Sequence, residues 1–155
     1  MAKAKARRRS QAKRAAPRTK PKAAARARPA QRFAVSHYRD EDFRVNGLRT
    51  YASYRDLGFA KATRGLVQAH VIRLLPPFRA GEVSKRHYHD VDFQMVYVLK
   101  GWMTTRMKGH DPIVMKAGSS WIQPPRIEHA VLGYSDDCEV LEIVLPSDFK
   151  TVELE

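Results

Sequence analysis

The chain has 155 residues, 29 Lys and Arg, 16 Asp and Glu, and a formal net charge of +13. That length suits one domain, and a hydrophobic share of 43% excludes a chain disordered throughout. Residues 1–32 hold 13 cations and no acid, so the remaining 16 cations meet 16 anions, which argues against a basic nucleic-acid-binding domain.

Residues 1–32 are composed almost wholly of Ala, Lys, Arg, Pro, Gln, Ser and Thr, and Pro17, Pro21 and Pro29 interrupt any helix. They read as a disordered basic tail ahead of a domain at 33–155. The sharper reading of the tail is non-specific, salt-dependent contact with nucleic acid or another polyanion. No apolar run approaches the roughly 20 residues of a membrane span. The N-terminus lacks the apolar stretch of a secretory signal. The expected setting is the cytoplasm, with no membrane partner.

From about residue 34 short runs rich in Val, Ile, Tyr and Trp alternate with turn residues. Tyr51–Leu57 is a candidate strand and Ala60–Arg64 a turn or short helix. Further strands are predicted at Val67–Leu75, Lys85–His89, Phe93–Leu99, Trp102–Met107, Ile113–Met115, Ser120–Gln123, Glu128–Tyr134 and Glu139–Leu145. Many short strands at this spacing predict an all-β antiparallel sandwich or barrel. The single cysteine, Cys138, sits among Asp136, Asp137 and Glu139. It excludes an internal disulfide and a multi-cysteine zinc site, and no neighbouring cation favours its thiolate.

The chemistry concentrates in His87-Tyr88-His89. On a strand, residues i and i+2 share a face, so both imidazoles reach one point. The pair sits in a frame: Gly81, five residues, His87, one residue, His89, four residues, Gln94, six residues, Gly101. Later come Gly118, five residues, Pro124, and then His129. A turn separates His89 from Gln94. In a closed barrel the strand that Gln94 opens can lie beside the first, with His129 entering from a third. Three neutral imidazoles suit Fe²⁺, Zn²⁺, Mn²⁺, Ni²⁺ or Cu²⁺ and leave positions open for water or substrate.

This spacing resembles the two signature motifs of the cupin superfamily. The first has Gly-x5-His-x-His-x(3,4)-Glu-x6-Gly, matched here except that Gln94 stands at the Glu position. The second has Gly-x5-Pro-x-Gly-x2-His-x3-Asn. Gly118, Pro124 and His129 match it, while Arg126 and Gly133 replace its Gly and Asn. The resemblance covers roughly residues 45–148. It implies a small antiparallel jelly-roll barrel with one divalent transition metal in its mouth, held by His87, His89, His129 and Gln94. It also implies a homodimer.

Gln94 either binds the metal through its amide oxygen or hydrogen-bonds to a metal-bound water, and it cannot act as a general base. In the first role, Gln94→Glu tightens metal binding. Strand alternation turns Val96 and Val98 inward with Gln94, and Val131 inward with His129, as an apolar substrate pocket. His70 and Glu142 are the candidate catalytic acid and base; the alternatives are a structural His70 and a solvent-facing Glu142. Trp102, Trp121 and Phe93 read as core or interface aromatics, and Arg126 as an exposed loop cation or an anion contact at the rim.

The expected function is a metal-dependent, dioxygenase-like enzyme acting on a small oxygenated organic substrate. Two alternatives stand beside it. One is a Lewis-acid cyclase or isomerase of the zinc type. The other is a non-catalytic small-molecule-binding cupin tethered to polyanions by its tail.

Overall fold

A computed structural model of the chain describes residues 30–45, 47 and 49–155. The tail assigned to 1–32 falls mostly outside those residues. Among the described residues ten strands form in chain order: β1 (Ala52–Asp56), β2 (Gln68–Leu74), β3 (His87–Asp90), β4 (Phe93–Lys100), β5 (Trp102–Met107), β6 (Ile113–Lys116), β7 (Ser120–Ile122), β8 (His129–Tyr134), β9 (Glu139–Leu145) and β10 (Lys150–Glu153). Two single-turn helices, α1 (Phe59–Ala62) and α2 (Ala80–Val83), fill the connections. No described helix is long and apolar enough to cross a membrane.

The strands make two five-stranded antiparallel sheets, ordered β1-β2-β9-β4-β7 and β10-β3-β8-β5-β6. They face each other as a jelly-roll barrel. Period-two alternation decides which side chains point between them. On β4, Gln94, Val96 and Val98 are buried while Tyr97 and Leu99 are exposed. Val96, Val98, Met103, Met115, Tyr134 and Val140 build the core. Cys138 joins it fully buried, and burial pushes its thiol up to about 12, so it is unreactive at neutral pH.

The closing glycine of the first motif has a steric reason. Gly101 links β4 to β5 at φ +67°, and a Cβ there would lie 2.1 Å from Ser135 Oγ. A side chain there is strained by the backbone conformation, and Ser135 and Asp137 would have to move to admit it.

One topological expectation is corrected. The β3–β4 connection is not a hairpin: β3 and β4 belong to opposite sheets. Val91 between them is buried at 6% exposure, whereas a hairpin tip would be solvated. The chain turns a corner across the barrel end, and Gln94 therefore starts on the sheet facing the histidines.

Candidate metal centre

β3 and β8 pair with His87 directly opposite His129, and His89 follows on the same face. The His87 and His129 ring centroids lie 4.3 Å apart, and the His89 ring lies 5.1 Å from His87 and 5.2 Å from His129. Each offers one nitrogen within 4.8 Å of the others'. All three side chains are buried.

Each ring is oriented through its other nitrogen. His87 Nδ1 lies 2.9 Å from the Lys85 carbonyl oxygen, His129 Nδ1 2.9 Å from that of Ile127, and His89 Nδ1 2.8 Å from Thr151 Oγ1. Nδ1–H donation to the two carbonyls leaves Nε2 as the lone-pair atom, the tautomer a metal requires. Burial lowers all three imidazoles, His87 to about 3 and His89 to about 4, with repulsion from His129 adding to the effect. They are neutral at physiological pH. A buried, pre-oriented group of three neutral nitrogen donors fits a divalent transition ion.

Gln94 is held by a carboxylate. Only 1% exposed, it is not among the residues lining the cavity, and its Nε2 donates to Glu142 Oε1 at 2.6 Å. Glu142 Oε2 meets His70 Nε2 at 2.6 Å. His70 and Glu142 are cross-strand partners on β2 and β9, and both side chains line the cavity between the sheets. Burial alone would raise the Glu142 carboxyl, but the His70 hydrogen bond and charge, then His89 and Gln94, hold it below the usual carboxylate range. Gln94→Glu is accordingly expected to set two carboxylates against each other. A lower melting temperature with unchanged metal affinity is the expected result, checked by thermal melts and metal titration of the same variant.

The cavity holds about 1000 Å³. Val96 and Val131 line it with Ile72, Leu74, Met103 and Val140. Val98 is 0% exposed and packs in the core instead of the cavity wall. Trp121 lines the cavity, Trp102 is exposed, and Phe93 is half-buried. Arg126 turns to Asp90 at 3.4 Å, over the Tyr88 ring.

Three site residues escaped the sequence reading. Gln123 is buried against the histidines, its Nε2 3.3 Å from His129 Nε2 and its Oε1 accepting from Trp121 Nε1 at 3.1 Å. Its place immediately before Pro124 of the second motif was the available signal. Thr151 comes from β10, 62 residues beyond the histidine it orients, with no local pattern to mark it. Arg49 comes from the loop before β1.

A family model described as a Cupin domain matches residues 78–144. A search of curated proteins by sequence finds no match. Among solved structures, the chain is similar to KdgF from Halomonas sp., with a TM-score of 0.56, 16% identity, and 72% of this chain and 94% of that one covered. It is similar to the polyketide cyclase RemF from Streptomyces resistomycificus, with a TM-score of 0.61, 14% identity, and 78% and 86% covered. It is also similar to salicylate 1,2-dioxygenase from Pseudoaminobacter salicylatoxidans, with a TM-score of 0.55, 10% identity, and 69% of this chain but 30% of that one covered. At these identities the likeness concerns the fold alone. The matched segment contains all three clustered histidines and both motif frames, and together with the two facing antiparallel sheets around them it supports a cupin superfamily domain in this chain.

Proposed function

We propose that the protein is a metal-dependent enzyme that moves a proton on a small oxygenated organic substrate, as in isomerisation or cyclisation. One observation carries this reading: the His70–Glu142 pair lines the same cavity as the three-histidine group. A divalent ion held by His87, His89 and His129 would polarise a substrate carbonyl or enol oxygen. The protein's own groups do the rest. Glu142 holds His70 through Nε2, and Gln94 holds Glu142 from behind. His70 Nδ1 is then the atom that takes or returns a proton, with the adjacent carboxylate stabilising the imidazolium that forms. The apolar walls exclude water around the reacting carbon.

A dioxygenase is the second reading. It is favoured by the absence of a carboxylate from the histidine group and by an apolar cavity that suits O₂ and a chelating substrate. The cupin fold accommodates both, since the similar structures include a cyclase and a dioxygenase.

Turnover of hydroxy-ketones and β-dicarbonyl compounds, followed by NMR in deuterated water with an oxygen electrode in parallel, separates the two. The expected result is metal-dependent deuterium incorporation without oxygen consumption. Stoichiometric oxygen uptake would establish the second reading, and neither signal with metal-loaded protein would remove the enzyme.

A further inference from the structure

Arg49 lies in the loop before β1 and lines the cavity, with a side chain only 12% exposed. Its Nη1 donates to Glu153 Oε1. Glu153 is the cross-strand partner of His87 on β10, so the ion pair holds the guanidinium beside the histidine group. Its positive charge bears on all three imidazoles. The other terminal nitrogen, Nη2, is buried and has no hydrogen-bond partner.

A buried, charged donor without an acceptor is costly, and folded proteins rarely leave one. The carboxylates lining the cavity are already engaged. Glu142 accepts from Gln94 and pairs with His70, Asp42 accepts from Arg39, and Asp56 accepts from the Gly58 backbone N–H. Water can accept from Arg49 Nη2 in a cavity of this size, and a ligand that brings its own acceptor displaces that water. The wall of the cavity that Arg49 lines is largely apolar, with Tyr51, Tyr54, Ile72 and Leu74. One open nitrogen suits a carboxylate oxygen, whereas a phosphate dianion, with three acceptor oxygens, calls for more donors.

We propose that Arg49 anchors the carboxylate of the substrate, which is a small organic acid whose apolar body lies against Tyr51, Tyr54 and Ile72. The proposal deepens the reading above and rests on it for the placement of the reacting oxygen at the histidines. In this arrangement Glu153 fixes one side of the guanidinium, and the acid takes the other. The acid's carboxylate then sits beside the histidine group, and its reacting portion shares the cavity with His70.

The test is calorimetric titration of the chelator-treated full chain with benzoate and hexanoate, each against its uncharged amide. At least one acid is expected to bind about tenfold or more tightly than its amide. Arg49→Gln should erase that preference while metal content after reloading stays at the wild-type level. Glu153→Gln keeps an acceptor for Nη1 and should keep the preference. Equal binding of acids and amides, including no binding of either, would overturn the proposal. So would a preference that survives in Arg49→Gln or disappears in Glu153→Gln. Because the metal is removed, an acid preference without metal-dependent turnover would sink only the enzymatic reading. Turnover without acid preference would sink only the role of Arg49.

Discussion

Replacing His87 by Ala is expected to weaken divalent transition-metal binding by more than about a hundredfold, since altering a residue that only orients a ligand already costs about 10–100-fold. The three donor nitrogens lie within 4.8 Å of one another because β3 and β8 set His87 opposite His129 and the strand period adds His89. Removing one leaves two donors, too few to replace the hydration shell of the ion at comparable cost. His129→Ala should behave alike. Thr151→Val leaves the donors in place but removes the hydroxyl that orients His89, and a loss of about tenfold is expected. His110→Ala, on the exposed β5–β6 turn, is the control and should bind as wild type. Metal content after exhaustive dialysis and a competitive titration read all four. Wild-type stoichiometry and affinity in His87→Ala would place the donors elsewhere. Metal bound to the folded state alone also stabilises it, by about 2.7 kcal/mol at a hundredfold excess over Kd. The melting temperature of wild type, but not of His87→Ala, should therefore rise with added metal.

The legible parts of the molecule were those set by short-range pattern. His87 and His89 are two residues apart, and alternation alone assigns them one face. The same alternation placed Gln94, Val96 and Val98 on the buried side of β4. Strands such as Trp102–Met107 and Glu139–Leu145 carry enough apolar and β-branched residues to declare their bounds. The illegible parts depend on distant pairing. His70 and Glu142 each read as a polar residue amid apolar neighbours, but their meeting depends on β2 pairing with β9 across 72 residues. Strand β10 was missed because Lys150–Glu153 is short and half-exposed, and its partner β3 precedes it by about 60 residues. Gln94 was set beside the wrong strand because Val91-Asp92 has the length of a hairpin turn. The sheet order and the burial of Val91 reveal a crossing between sheets. The aromatics and cations before β1 lack alternation, so nothing local marked Arg49 as facing the cavity.

Replacing Glu142 by Ala is expected to lower stability by about 3 kcal/mol, which for a domain of this size is a fall of about 10 °C in melting temperature. The carboxylate accepts from Gln94 through Oε1 and meets His70 through Oε2, each at 2.6 Å. Its removal orphans a Gln94 amide that is almost fully buried and leaves His70 without its partner. Bonds to a charged acceptor are worth more than neutral ones, and the stranded donors carry their own desolvation cost. His70→Ala alone should cost less, because Gln94 still satisfies one oxygen of Glu142. The double variant His70→Ala/Glu142→Ala should lose less than the two single losses combined, with a coupling of about 1 kcal/mol or more. Additive losses would show that the pair is not energetically linked. Glu142→Gln then separates structure from chemistry. It keeps the side-chain volume and an acceptor, so the fold and the metal content should hold. It removes the charge that stabilises a protonated His70, so turnover should fall by about 10²–10⁴-fold if that imidazole carries the proton. A variant that folds, binds metal and turns over as wild type would move the proton-transfer step away from His70. Within the described residues the cavity then offers His37, at its outer edge, as the remaining histidine outside the metal group.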